Sequence, residues 1–142
     1  MQRFDSLEKF AAHLDIMALK VGIVPYETAA LVAPVLAESI KDVFGKDPPL
    51  ATLAQSTQIE RARLGYSTNE PLVRSGSLRE TVEHATEFNL AIAGSNDPVA
   101  RYSEDGAPNR PPRPVFRIGA IASLPLVKRI FKGALGKALG KR

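Results

Sequence analysis

Apolar residues in the first third of the chain recur at helical spacing. Leu7, Phe10, Ala11, Leu14, Met17 and Ala18 make one apolar stripe and predict a helix over about Ser6 to Leu19. Asp5, three residues before Glu8, suits a capping box with a carboxylate in place of the usual hydroxyl. Val21-Gly22-Ile23-Val24-Pro25 is predicted to end this helix, and Pro25 suits the first turn of a second. That second helix, from about Tyr26 to Phe44, carries Val32, Leu36, Ile40 and Val43 on one stripe, widened by Val35 and Phe44. Pro34 removes a backbone donor inside it, so a kink or split near Ala30 is expected. Gly45 fits a C-terminal cap, with Pro48 and Pro49 just beyond.

A more polar helix is predicted over Leu53 to Arg63, then a loop from Gly65 to Pro71. The periodicity changes near Ser77. Ser77 to Thr86 and Asn89 to Ala93 read as strands joined through Glu87-Phe88-Asn89, although a helix from Leu78 to Phe88 stays open. In the strand reading Leu78, Glu80, Val82 and His84 share one face, and Leu90 and Ile92 form the apolar face of the second strand. Gly94 to Pro98 is a turn, and Pro98 to Glu104 a short helix. Asp105 to Pro114 holds four prolines in ten residues and reads as a loop. Val115 to Ala122 is β-compatible. Pro125 to Leu139 is a final amphipathic helix, with Leu126, Ile130, Phe131 and Leu135 opposite Lys128, Arg129, Lys132 and Lys137. Gly133, Gly136 and Gly140 each weaken it by about 1 kcal/mol relative to alanine.

The expected fold class is therefore α+β: N-terminal helices, a small antiparallel β-sheet in the middle, and a basic amphipathic C-terminal helix. The expected core joins Leu72, Leu78, Val82, Leu90 and Ile92 to Leu14, Leu36 and Ile40. Residues 1–106 are expected to form the core domain, and residues 107–142 a Pro/Arg-rich arm and helix outside it.

Charge sharpens that division. The net charge is only +4, but residues 1–106 carry -5 and residues 107–142 carry +9 with no acid at all. A segment so one-sided is expected to meet an anionic surface: nucleic acid, a membrane or an acidic protein. A length of 142 residues suits one ordinary domain. The absence of cysteine excludes disulfides and thiolate metal sites. No signal peptide and no apolar run long enough to span a bilayer are read in the sequence.

Candidate chemistry is sparse. His13 lies beside the apolar stripe of the first helix, and His84 lies in a predicted strand. Neither has a nucleophile and an orienting acid at a telling spacing. No carboxylate cluster suits a metal, and no cofactor is expected. Ser75-Gly76-Ser77 lacks the glycine spacing of a nucleophile elbow and reads as a structural turn. Gly106 is expected to make another. The residues expected to make contacts are Arg110, Arg113 and Arg117 in the arm, suited to bidentate pairing with carboxylates, and Lys128, Arg129 and Lys132 on the last helix. With Phe131 the one aromatic residue after Arg117, attraction to DNA would act on phosphates and not bases.

Several short elements occur in a suggestive order. They are Pro49-Leu50-Ala51-Thr52-Leu53-Ala54-Gln55-Ser56-Thr57, Arg61, Gly65-Tyr66, and Pro71-Leu72-Val73-Arg74-Ser75-Gly76-Ser77-Leu78-Arg79. Ala100, Tyr102, Glu104, Gly106 and Arg113-Pro114-Val115-Phe116 follow. Over about residues 49–117 this order resembles the virion-morphogenesis, or tail-completion, family of tailed bacteriophages. Ser75 stands where threonine is commoner, Val115 precedes Phe116, and Asp105-Gly106 follows Glu104 in place of a plain Gly-Thr. The resemblance implies a non-enzymatic structural subunit of the virion, at the head–tail junction or the head-proximal end of the tail, assembled in the bacterial host cytoplasm. It implies a homo-oligomeric ring, commonly of six copies, around the DNA channel. Other neck and tail-tube proteins would be its partners, with non-specific contact to channel DNA and no membrane. The alternative reading is a small basic protein that binds DNA or a membrane through its cationic C-terminal helix.

Overall fold

A computed structural model describes residues 6–140. Asp5, expected in a capping box, lies outside the described residues. Among them the elements run α1 (Leu7–Lys41), α2 (Gln55–Arg63), α3 (Ser77–Glu80), β1 (Glu83–Glu87), β2 (Leu90–Gly94), α4 (Pro98–Asp105) and α5 (Val115–Ala138). The fold is α+β, with a two-stranded antiparallel sheet in the middle.

The two predicted N-terminal helices are one. Ser6 caps α1 by accepting a hydrogen bond from the Lys9 amide at 3.3 Å. The helix then runs 35 residues through Gly22, Pro25 and Pro34 without a break. An internal proline costs about 3 kcal/mol in a helix, so packing must outweigh it here. Val24, Thr28, Ala29, Val32, Ala33, Ala37 and Ile40 are buried along one face, all in the second half of α1. Thr28 is fully buried with its hydroxyl satisfied, donating to the carbonyl of Val24 at 2.8 Å. Because the helix is unbroken, α1 is long and apolar enough to cross a membrane, contrary to the expectation of no such run. Only 28% of its most apolar window is buried inside the protein.

The predicted strand from Ser77 begins later, because Gly76 at φ 80 and the Ser75 hydroxyl start a helical turn instead. Leu78 and Glu80 therefore sit in α3 and do not share a strand face with His84. Thr81 bonds the carbonyl of Leu78 and the hydroxyl of Ser95, both at 2.7 Å, tying α3 to the far end of the hairpin. The register pairs Glu83 with Gly94 and Glu87 with Leu90, leaving Phe88-Asn89 as a two-residue turn.

The C-terminal region departs most from expectation. Val115 to Ala122 is helix and not strand, so α5 starts ten residues before Pro125. Val115, Gly119 and Ser123, four residues apart, are its buried positions. A Cβ built on Gly119 would lie 2.5 Å from the Cα of Ile40. The two helices thus approach backbone to backbone, which only glycine permits. Gly119 meets the end of α1, whereas Lys137 and Gly133 line a groove with Lys20 and Ile23, so the pair is antiparallel.

The core gathers at the base of this pair. It joins Ala37, Ile40, Val43 and Phe44 to Leu50, Leu78, Val82, Ala100 and Val115, which is 0% exposed. The boundary drawn at residue 106 is therefore not a boundary of the core, since the start of α5 is inside it. Leu78, Val82 and Ile40 are buried as predicted, and Leu72 and Leu36 are partly covered. Leu14, Leu90 and Ile92 are exposed, against expectation. Leu14 lies in the half of α1 that buries no residue, and although the sheet packs on α1, the alternation along β2 gives Ala91 and Ala93 the more covered positions and leaves Leu90 and Ile92 more open.

The two α5 glycines should answer oppositely to alanine. Gly119→Ala forces α1 and α5 apart and should cost about 1–3 kcal/mol. Gly133→Ala meets open space and should add about 1 kcal/mol. Urea unfolding of both variants measures the contrast.

Candidate functional site

The loop between α4 and α5 is organised by backbone and charge. Asp97 caps α4 by accepting from the Val99 amide at 2.8 Å, with Pro98 in the first turn. Gly106 ends α4 at φ 82, where a Cβ would press on the carbonyl of Arg110 and the nitrogen of Pro112, each at 3.1 Å. This close approach and positive φ are what the predicted glycine turn requires. Ala107 and Arg110 exchange backbone hydrogen bonds of 3.1 and 2.8 Å, closing a tight loop. The Arg113 amide then donates to the carbonyl of Ser103 at 2.7 Å.

Glu104 was not among the predicted contact residues, yet it organises the start of α5. Its carboxylate accepts from the amides of Phe116 at 3.1 Å and Arg117 at 3.0 Å. Pro114, at the N-cap position, offers no side-chain bond, so Glu104 takes that part from ten residues upstream. A negative group at a helix N-terminus also meets the positive end of the helix dipole. Local spacing carried no sign of this pairing; only the family-like order of Glu104, Gly106 and Arg113 marked the residue.

Arg113 is turned inward. Its Nε donates to the carbonyl of Ala51 at 2.9 Å and its Nη2 to that of Thr52 at 3.2 Å. It thereby ties the arm to the segment before α2, across 62 residues of chain. Arg61, only 8% exposed, performs the same service for the next loop, donating to the carbonyls of Ser67 and Glu70. Arg61, Arg74, Arg110 and Arg113 line one cavity of about 470 Å³. Burial, then the charges of Arg61 and Arg110, push the Arg113 guanidinium below its ordinary pKa, with Asp47 pulling the other way. Arg74 lies 5.2 Å from the centre of the Tyr66 ring.

The expected contact residues therefore divide. Arg113 is committed to its own chain. Arg110 and Arg117 are exposed at the base, and Lys128, Arg129 and Lys132 are exposed along α5. The two sets are not one cluster, because α5 carries the second set away from the base. Ser75 and Gly76 make the turn into α3, with the Ser75 and Ser77 hydroxyls 2.9 Å apart. His84 sits exposed on β1. Among the described residues no group of three or more His, Asp or Glu side chains could hold a metal ion.

Beside the basic residues lies a large apolar surface. On α1, Leu7, Phe10, Leu14, Ile16, Leu19 and Ile23 are exposed, Leu19 by 72%. On α5, Ile121, Leu124, Leu126, Phe131 and Leu135 are exposed. Scattered apolar residues are ordinary on a protein surface, but a run of this length on two adjacent helices is more than scatter. Comparison with models of known protein families, with curated proteins and with solved structures gives no match.

Replacing Glu104 tests its capping role. Glu104→Ala should cost about 1–2 kcal/mol, and Glu104→Gln less, since one amide oxygen still accepts. Thermal melting of the two variants orders them; equal melting to wild type would remove Glu104 from the account of α5.

Proposed function

We propose that this protein is a structural subunit of a tailed-phage virion, a tail-completion or neck protein that forms a ring around the DNA channel at the head–tail junction. The observation that carries this reading is the exposed apolar surface along α1 and α5, set beside an α5 that has basic residues and no acid. Such a surface is satisfied when further copies cover it, and repeated head-to-tail contacts close into a ring. The α5 charges then face either acids of a neighbouring copy or phosphates in the channel. The family-like residues support the reading from another side. Glu104, Gly106 and Arg113 hold the arm and the start of α5 to the base, so the motif positions the helix that presents the contact surface.

One observation favours a second reading. A long apolar α1 beside a cationic α5 also suits association with an anionic membrane. The two readings separate in one pair of measurements. Sedimentation velocity and negative-stain imaging of the purified full chain should give closed rings, and flotation with anionic vesicles should leave the protein unbound. Monomers that float with the vesicles would overturn the ring in favour of the membrane.

A further inference from the structure

We infer that the β1–β2 hairpin of one copy docks its Phe88 tip into the groove between α1 and α5 of the next copy. The inference rests on the ring reading and names the contact that would build it.

The hairpin is shaped as a plug. Phe88 is 80% exposed and holds φ at 49, in the left-handed region that a bulky side chain seldom adopts. Its own chain does not cover it, so folding alone gives no reason to place phenylalanine there. Leu90, 54% exposed, and Ile92 continue the apolar surface along β2. The segment from Glu80 to Ala100 contains no lysine or arginine; Glu87 adjoins the tip, and Glu83 stands at the other end of β1, opposite Gly94.

The groove is shaped as a socket. Ile23, Leu31, Ile130 and Ala134 supply apolar walls, and the space is about 480 Å³. Lys20, Arg129 and Lys137 stand at its sides against one acid, Glu27. Gly133 also lines it, and a Cβ added there would meet nothing within 4 Å. Gly119 is explained by its contact with Ile40 inside the chain, but Gly133 has no such reason within one copy. A side chain from a neighbour gives it one. An apolar tip beside Glu87 and a basic apolar socket complement each other in charge and in surface, and the same carboxylate opposes insertion of the tip into an anionic membrane.

The two parts lie apart on one molecule. Ile92 packs near Leu36 and Ile40, towards the end of α1, while the groove spans Lys20 to Leu31. Plug and socket are therefore different patches, and a one-way contact between them is heterologous, the kind that propagates from copy to copy until a ring closes, whereas a reciprocal exchange would stop at a dimer.

The chain has no cysteine, so engineered thiols report on this contact alone. The Phe88→Cys/Gly133→Cys double variant should, on mild oxidation of the assembled protein, give a ladder of disulfide-linked species up to the full ring. Phe88→Ser and Gly133→Leu, one emptying the plug and the other filling the socket, should each raise the concentration needed for rings by roughly tenfold or more. Gly133→Leu should melt no lower than wild type, which separates lost assembly from lost folding. A wild-type ring, with both variants still assembling normally and no ladder, overturns the docking and leaves the ring reading intact. A product that stops at the dimer overturns the head-to-tail arrangement. A wild-type chain that is monomeric at every concentration overturns the ring reading itself, and the docking with it.

Discussion

The close approach of α5 to α1 at Gly119 is the contact on which the rest of the architecture depends. With no side chain at that position, the backbone of α5 lies against the backbone of Ile40. Val115 on one side is then drawn fully into the core, and Ser123 on the other is buried with its hydroxyl bonded to the carbonyl of Ala120 at 2.7 Å. The burial of small residues along α1, Ala29, Ala33 and Ala37, is the other half of the same fit. Small side chains on both helices bring the axes close, and close axes give dispersion contacts that larger residues at a greater separation would not improve. This packing also explains why α1 survives two internal prolines.

The base of the molecule serves to aim that helix pair. Glu104 fixes the first turn of α5 through two backbone amides, and Arg113 fixes the preceding arm through two carbonyls next to α2. Each is a charged side chain bonded to backbone groups, a strong kind of hydrogen bond. Of the four arginines about one cavity, Arg61 and Arg113 bond to carbonyls in this way, while Arg74 lies over the Tyr66 ring. Glu104 and Arg113 thus set the direction of α5, and in the proposed assembly direction is what each copy must hold constant.

On this view the apolar surface of the helix pair and the exposed hairpin belong to one plan. A domain whose buried core sits at one end, with helices reaching beyond it, leaves apolar side chains that a single copy cannot cover. In the proposed ring these are covered between copies, and the unequal distribution of charge becomes useful: the basic α5 and the acidic hairpin attract in register and repel out of it.

The sequence by itself determined the α+β class, the place of the hairpin, the glycine turns at Gly76 and Gly106, and the one-sided charge of the last 36 residues. These are local properties, governed by backbone conformation and by the spacing of residues close along the chain. Only the tertiary structure decided that Pro25 and Pro34 lie within one helix, because the burial that outweighs their cost comes from α5. It alone decided that Val115 to Ala122 is helical, because the decisive feature was the bare backbone of Gly119 against Ile40, not a pattern of apolar positions. It alone turned Arg113 inward and gave Glu104 a helix to cap, since both act on backbone groups that local spacing does not mark. Which leucines and isoleucines stay exposed was likewise beyond periodicity, which shows that a face is apolar but not what lies against it.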